Sequence, residues 1–440
     1  MKTVFILLLT ITGAGAAHSQ TTGDVLRQSA GQGVHDGAQM ATQQTANNVS
    51  NRILDKIFSK KKKAAADSAK GKAATNPGGM ATGTAAAGGA ASASLKTYSK
   101  YDFIPGDKIL HVEDFAGDAV GDFPVKWNTN GSGEVQTIEG LPGKWLSPGK
   151  NSLFYPEYIT DLPENFTLQF DLVSSDNYSY YSSAFTVSCV ALKNPSKEFT
   201  KLLSDVPKTA VDIWFHPQDA SPSLGRSGYN VFDNNDRTIH NDASNEQFIS
   251  KDPNKRSVKV SIWRQKQRLR VYMNEEKVWD LPRAFDATKT YTTLLFSLQD
   301  ARPNDKYLLS NIRLAVGSPD TRNRLMTEGK FSTTGILFDV NSATIRPESY
   351  GALKDIASVL TENAGVRVKI VGHTDNDGDA AMNLALSKKR ALAVKEALSR
   401  DFNIDQARMD TDGKGSTQPA APNTSAEGKA QNRRVEFIKS

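Results

Sequence analysis

Asp375 and Arg390, fifteen residues apart, are the pair whose types and spacing suit ligand recognition. Asp375 follows an alternating apolar run, Val366, Val368 and Ile370, which predicts a buried strand ending at Gly372. A loop, His373-Thr-Asp-Asn-Asp-Gly378, comes next, and a helix is predicted over about 380–400. In a strand–loop–helix unit the helix packs back on the strand, so its second and third turns can approach the loop. A carboxylate held there would take an ammonium. A guanidinium would grip a carboxylate through two parallel hydrogen bonds. Together they would form a receptor for a zwitterion. A mutual salt bridge, worth little at a surface, is the plainer reading of the spacing taken alone.

Other chemistry is thinly represented. Gly413-Lys-Gly-Ser-Thr417 lacks the glycine that a phosphate loop places five residues before its Gly-Lys-Ser/Thr. His373 has no evident nucleophile partner. The single cysteine, Cys189, excludes an intramolecular disulfide and a zinc site built on several thiolates. It falls in a predicted strand and reads as a small core residue. Asp233-Asn-Asn-Asp236 and Asn241-Asp242 offer oxygens to calcium, but Asp and Asn are also the ordinary residues of turns. The expectation is a non-catalytic protein with no cofactor and no metal site.

The elements that must position the Asp375/Arg390 pair are an alternation of strands and helices. A strand is predicted over 335–340. Pro347 sits near the start of a helix with Tyr350, Leu353, Ala357 and Leu360 on one face, and Gly365 is a natural stop. The long helix has Leu384, Ala391, Val394 and Leu398 on its core face and Asn383, Ser387 and Arg390 on another. Short strands at 409–413 and 434–438 close a two-layer α/β domain with β-α-β-α-β-β order.

At these residues the chain resembles a known family. The segments FDVNSATIRPE, VGHTDNDGDAAMNLALSKKRALAVKEAL and NRRVEF match the peptidoglycan-binding domain of the outer-membrane protein A (OmpA-like) family over about 330–440. The resemblance implies non-covalent binding of the diaminopimelate side chain of the peptidoglycan stem peptide, which carries a free ammonium and carboxylate. It implies Asp375 and Arg390 as the gripping residues, with Asn341, Thr374, Asn383 and Arg433 lining the pocket or its rim. Lys388 and Lys389 would be exposed bystanders.

The rest of the chain divides by composition. Lys2, an apolar run over 4–12 and the small-x-small Ala17-His18-Ser19 predict a secretory signal at 1–19. The run is about half the ~20 residues of a membrane-spanning helix, and no cysteine near the cleavage site offers a lipid anchor. Residues 20–63 form a polar, weakly amphipathic arm, read as a solvated helix in preference to one docked on an anionic surface. Residues 64–96 are an Ala/Gly-rich disordered linker, with 13 Ala and 6 Gly in the 31 residues of 64–94. Residues 1–100 hold 12 basic and 4 acidic side chains, so the remainder, 42 basic and 44 acidic, nets −2 although the chain nets +6. The basic excess belongs to the arm, and the globular parts carry no basic surface of the kind nucleic acid requires.

Residues 97–320 carry all five tryptophans and short β-rich runs separated by turn residues, which predicts an all-β sandwich. A hairpin is expected at Arg268-Leu-Arg-Val-Tyr-Met273, Asn274-Glu275, Glu276-Lys-Val-Trp279. Its sequence RLRVYMNEEKVWDLP and the run YLLSNIRLAVG resemble the concanavalin-like (laminin G-like) jelly roll, whose members often bind glycans and sometimes hydrolyse them. The paired carboxylates of the hydrolytic branch, E-x-D-x-x-E, are missing between 97 and 320. The whole order resembles envelope proteins of the Bacteroidetes type. It implies an exported periplasmic protein, associated with the outer membrane, that links the wall to that membrane or to an envelope partner. The other reading is a glycan-binding or glycan-processing protein with the sandwich as active module and the C-terminal domain as its wall-targeting module. A glycan or a protein remains open as the sandwich's own partner.

Overall fold

A computed structural model describes residues 101–440 apart from 177, 204–206, 300–304 and 318–320. The expected signal, arm and linker lie outside the described residues.

From 108 to 316 the chain is mostly strand. Eight strands form one sheet: β1 (Lys108–Glu113), β3 (Gly133–Ile138), β4 (Leu141–Pro148), β6 (Asn165–Ser174), β11 (Ser257–Gln265), β12 (Arg268–Met273), β13 (Glu276–Leu281) and β15 (Tyr307–Val316). Seven form another: β2 (Trp127–Thr129), β5 (Ser152–Pro156), β7 (Phe185–Val190), β8 (Thr209–His216), β9 (Gly225–Asp233), β10 (Asp236–Asn245) and β14 (Thr293–Leu298). The first runs β13-β12-β11-β6-β15-β4-β3, with β1 beside β15; the second runs β10-β9-β8-β7-β14-β5-β2.

The two sheets share one core. Phe170 of β6 meets Phe185, Phe215 and Phe296 of the other sheet at ring-centroid distances of 6.5, 6.3 and 6.0 Å. The period of two sets this up: β7 sends Phe185, Val187 and Cys189 inward. Burial pushes the Cys189 thiol up to about 12, so it stays protonated and unreactive. The β12–β13 hairpin turns on Asn274 at φ 52°, and Leu269, Val271 and Met273 enter the core. The acidic stretch at 233–236 is the tip of the β9–β10 hairpin, where Asn234 and Asn235 take φ of 50° and 69°, as a type I′ turn requires. Asp233 faces Lys289 at 3.8 Å, and Asp242 pairs with Arg226. Among the described residues no group of three or more His, Cys, Asp or Glu could hold a metal.

A smaller α/β unit follows. Its sheet runs β16 (Lys330–Thr333), β19 (Val435–Lys439), β17 (Val368–His373), β18 (Met409–Gly415). Strands β17 and β18 run parallel and the other pairs antiparallel. Helices α1 (Tyr350–Glu362) and α2 (Ala380–Phe402) pack on it through Leu353, Ile356, Leu360, Ala391, Val394 and Leu398, and a third, α3 (Ala426–Asn432), precedes β19.

Two sequence expectations are corrected here. The strand expected over 335–340 is not in the sheet. The paired strand is Lys330–Thr333, fixed where Phe331 stacks on Phe437 at 4.9 Å. The 335–340 segment leaves the sheet and keeps one bridge, Phe338 to Ile345. Leu384 is not core either: it is 39% exposed, while Asn383 and Ser387 are buried. Glycines cause this inversion. A Cβ on Gly372 would fall 2.2 Å from the Ser387 carbonyl oxygen, and one on Gly413 would fall 2.4 Å from the Lys388 nitrogen. Bare strand backbone lets the small polar face of α2 sit directly on the sheet.

The two folded parts meet over residues 101–107. Phe103 packs edge-on to Tyr272 and Trp263 on the outer face of the first sheet, and its carbonyl lies against Gly351 of α1. Asp107 binds Arg324 at 2.5 Å and its carbonyl accepts from Gln431 of α3 at 2.9 Å. Strand β1 is bound by the same helix: Ile109 N donates to Gln431 and Val112 N to Glu427. Among the described residues no helix is long and apolar enough to cross a membrane.

Candidate functional site

Strand β17 ends at His373 and leads into the loop that carries Thr374 and Asp375. Thr374 is held by its N–H to the Gly415 carbonyl at 3.0 Å, and its hydroxyl donates to the Asp375 carbonyl at 2.8 Å. Asp375 follows, 8% exposed. Its Oδ1 accepts from Asp377 N at 3.2 Å and its Oδ2 accepts from Arg433 at 2.6 Å. Helix α2 is capped by Asp379, whose carboxylate accepts from Met382 N at 2.9 Å. One turn in, Asn383 is buried and its amide donates to the Asp377 carbonyl at 2.8 Å, stapling the loop. Ser387, fully buried, accepts from Gly415 N at 2.9 Å and locks the helix to β18.

Arg390 lies one turn further along. Its Nε donates to the Ser342 carbonyl at 2.9 Å, an Nη reaches toward the Asp339 carbonyl at 3.5 Å, and the guanidinium sits 4.9 Å from the centre of the Phe338 ring. Burial lowers its proton affinity, the Asp375 charge raises it, and Arg433 lowers it again. The three charges therefore share one field. Asn341, expected in the pocket, is exposed at the tip of the 339–344 turn with φ 53°. It shapes the loop that supplies the Ser342 and Asp339 carbonyls. Lys388 and Lys389 are exposed.

The structure thus differs from the spacing argument in one respect. The direct ionic partner of Asp375 is Arg433 from the segment after α3, while Arg390 is held by backbone carbonyls and an aromatic face. The site has one carboxylate and two guanidiniums. A carboxylate has about four lone-pair positions and a guanidinium five N–H donors, so each keeps capacity for a ligand.

Several supporting residues were not singled out from the sequence. Phe338 carries the Arg390 guanidinium. Asn432, fully buried, accepts from Ala420 N and Ala421 N at 2.7 and 3.0 Å and donates to Asn423, whose side chain accepts from Asn376 N. That chain ties the end of α3 to the Asp375 loop. Lys429 binds Asp377 at 2.7 Å across the same gap. The signal available was the asparagine opening NRRVEF, three residues before the strand. His373, 2% exposed, lies 3.5 Å from Glu436, and with Arg434 it holds that carboxyl down at about 2. Arg390 and Arg433 also border a cleft of about 830 Å³ that continues to Lys259 and Arg313 of the first sheet.

The fold and site define an α/β domain with a mixed-charge cluster of Asp375, Arg390 and Arg433 at the end of a parallel strand pair. Residues 337–433 match the family described as OmpA family, and the chain carries a C-terminal domain of that family. Over 102 residues it is 42% identical to the probable lipoprotein YiaD of Escherichia coli, a match covering 23% of this chain and 46% of that protein. Over 110 residues it is 37% identical to the outer membrane protein Omp38 of Acinetobacter baumannii, covering 25% of this chain and 31% of that protein. Among solved structures, the peptidoglycan-associated lipoprotein from Burkholderia pseudomallei is similar, at 31% identity, over 25% of this chain and 89% of that one, with a TM-score of 0.23. The chain spans less than half the length of these two curated relatives.

Proposed function

We propose that the C-terminal domain binds peptidoglycan non-covalently and anchors the protein to the wall of the cell envelope. In this reading Asp375 takes the ammonium and Arg390 the carboxylate of a diaminopimelate side chain on the stem peptide. Arg433 sets the orientation of Asp375, Thr374 and Asn383 hold the loop in place, and Asn341 shapes the rim. The observation that carries the reading is the held but unsaturated pair: a buried carboxylate and a guanidinium fixed by carbonyls, each with bonding capacity left. The match of 337–433 to the OmpA family and relatives bearing outer-membrane and lipoprotein names support an envelope setting. The remaining assignments belong to the same proposal. They are an export signal at 1–19, an arm and linker over 20–96, a concanavalin-like jelly roll over 97–320, and a bridging role between wall and outer membrane.

Co-sedimentation of the purified protein with peptidoglycan sacculi tests it. Asp375→Ala and Arg390→Ala each remove one partner of a hydrogen-bonded charged contact, which costs about 2 kcal/mol or more, roughly a 30-fold loss of binding. Variants that sediment as well as the parent would sink the pocket. Sacculi lacking diaminopimelate should also bind poorly if the side chain named is the ligand.

A further inference from the structure

The cleft of about 830 Å³ that runs from Arg390 and Arg433 to the first sheet has the size of a pocket that encloses a whole ligand, about 300–1,000 Å³. The wall-binding reading occupies only its Arg390 end. The other end is built by the sandwich, with Arg313 of β15, Gln169 of β6 and Lys259 of β11 in its lining.

The charges of this cleft do not balance. Seven Lys and Arg side chains line it, and most are answered within the protein. Lys259 binds Asp171 at 2.6 Å, and Arg346 binds Glu348 at 2.9 Å. Arg434 binds Glu436 at 2.5 Å, and Arg433 binds Asp375 at 2.6 Å. Lys144 donates to the Ala116 and Asp118 carbonyls, in the stretch that begins with Asp114, and Asp114 also lines the cleft. Two guanidiniums are left. Arg390 is held by the Ser342 and Asp339 carbonyls. Arg313 is held by the Thr334 hydroxyl at 2.5 Å and by the Thr334 and Gly106 carbonyls, each at 3.4 Å. Neither makes an ion pair among the described residues, so the lining keeps an excess of two positive charges.

Arg313 is the more exacting of the two. It stands opposite Gln169 in the β15–β6 ladder, half-buried, and its Nε is buried without a hydrogen-bond partner among the described residues. Burial, with the like charge of Arg433, brings its guanidinium down to about 10, so it is still charged at pH 7. A desolvated cation with no acid beside it costs free energy until an anion completes it.

The chemistry of that anion follows from what already lies in the cleft. A zwitterion at Asp375 and Arg390 brings one charge of each sign and leaves the excess as it was. A further acid group is needed at the Arg313 end. The chain's own residues 1–100, with 12 basic and 4 acidic side chains, carry the wrong sign to supply it. The ligand at the other end is read as a peptide, and the acids of a peptide are carboxylates, which the guanidinium fork matches.

We propose that the first sheet of the sandwich is part of the wall-binding site, where Arg313 takes a second carboxylate of the same peptide whose diaminopimelate is held by Asp375 and Arg390. The proposal rests on the wall-binding reading and adds to it a ligand contact from outside the C-terminal domain.

Isothermal titration of the full chain tests it with the tripeptide alanyl-γ-glutamyl-diaminopimelate and two derivatives, one amidated at the glutamyl α-carboxylate and one at the C-terminal carboxylate. One of the two amides should bind the parent about tenfold more weakly than the tripeptide acid. Arg313→Gln should erase that difference, and Arg313→Lys, which keeps the charge, should retain part of it. Lys388→Gln, an exposed change, should behave as the parent does. Circular dichroism of each variant separates a lost contact from a lost fold. Equal binding of the acid and both amides by the parent overturns the proposal and leaves the wall-binding reading standing. So does a preference that survives Arg313→Gln. A parent that binds none of the three at millimolar concentration overturns the wall-binding reading and this proposal with it.

Discussion

Asp375 and Asp212 are both carboxylates, and they differ in what surrounds them. Asp375 is met by a guanidinium and a backbone N–H. Asp212 stands opposite Ser188 in the β7–β8 ladder, and burial pushes it up to about 6. The sign follows from linkage. A carboxyl that holds its proton more tightly when folded penalises the folded state above its unfolded value near 3.8, fully so above about 6. Asp212→Asn should therefore raise the melting temperature at pH 7, and the gain should vanish below about pH 4. Scanning calorimetry at the two pH values checks this. An unchanged or lower melting temperature at pH 7 would mean that the carboxylate is compensated.

At the scale of elements, the pocket depends on how closely α2 approaches β17 and β18. Gly372 and Gly413 give that approach, and the Ser387 bond to Gly415 fixes its register. Gly372→Ala would drive a methyl into the Ser387 carbonyl, which nothing flexible can relieve. The expected cost is about 1–3 kcal/mol of stability from overpacking. Sacculus binding should also weaken, since α2 carries Arg390 and the loop before it carries Asp375. Denaturant unfolding read by circular dichroism, beside co-sedimentation, separates the two effects. A variant as stable as the parent would show that helix and strand can part without loss.

At the scale of the molecule, the sandwich and the C-terminal unit are joined by the buried Phe103 and by hydrogen bonds from β1 to α3. Phe103 is fully buried between the outer face of the first sheet and α1. Such an interface should make residues 101–440 unfold as one cooperative unit. Phe103→Ala removes a large buried side chain, at about 3–5 kcal/mol. It should split the calorimetric transition into two, the sandwich and the C-terminal unit melting apart. Two transitions already in the parent would count against the coupling. Because α3 leads directly into Arg433, loosening this wedge should also loosen the grip on Asp375.

Much of this was legible along the chain, because the signals are local. The alternation in 268–273 and the Asn at its turn specify a hairpin by period and by φ. Pro347, Gly365 and the apolar stripe of 350–362 specify a helix. The order of Asp375 and Arg390 around a strand–loop–helix unit brings them near enough for the Asp375 charge to act on Arg390. What only the tertiary structure decided depends on distance across the fold. Nothing in the sequence says that Arg433, 58 residues on, takes the Asp375 carboxylate, because that pairing is made when β19 lies beside β17. The 335–340 run has strand composition, yet the Leu337 carbonyl accepts from Arg346 N and the Ser349 hydroxyl, and the Asp339 carbonyl from Ser342 N, in place of a neighbouring strand. The small polar residues of α2 look solvent-facing until the glycines of β17 and β18 are set beneath them. Trp214 looks like core by its type, yet it lies half-buried on the outer face across Gly228 of the next strand. Residue type and spacing set which elements form; which surfaces those elements bury, and which charges they bring together, is a property of how the elements pack.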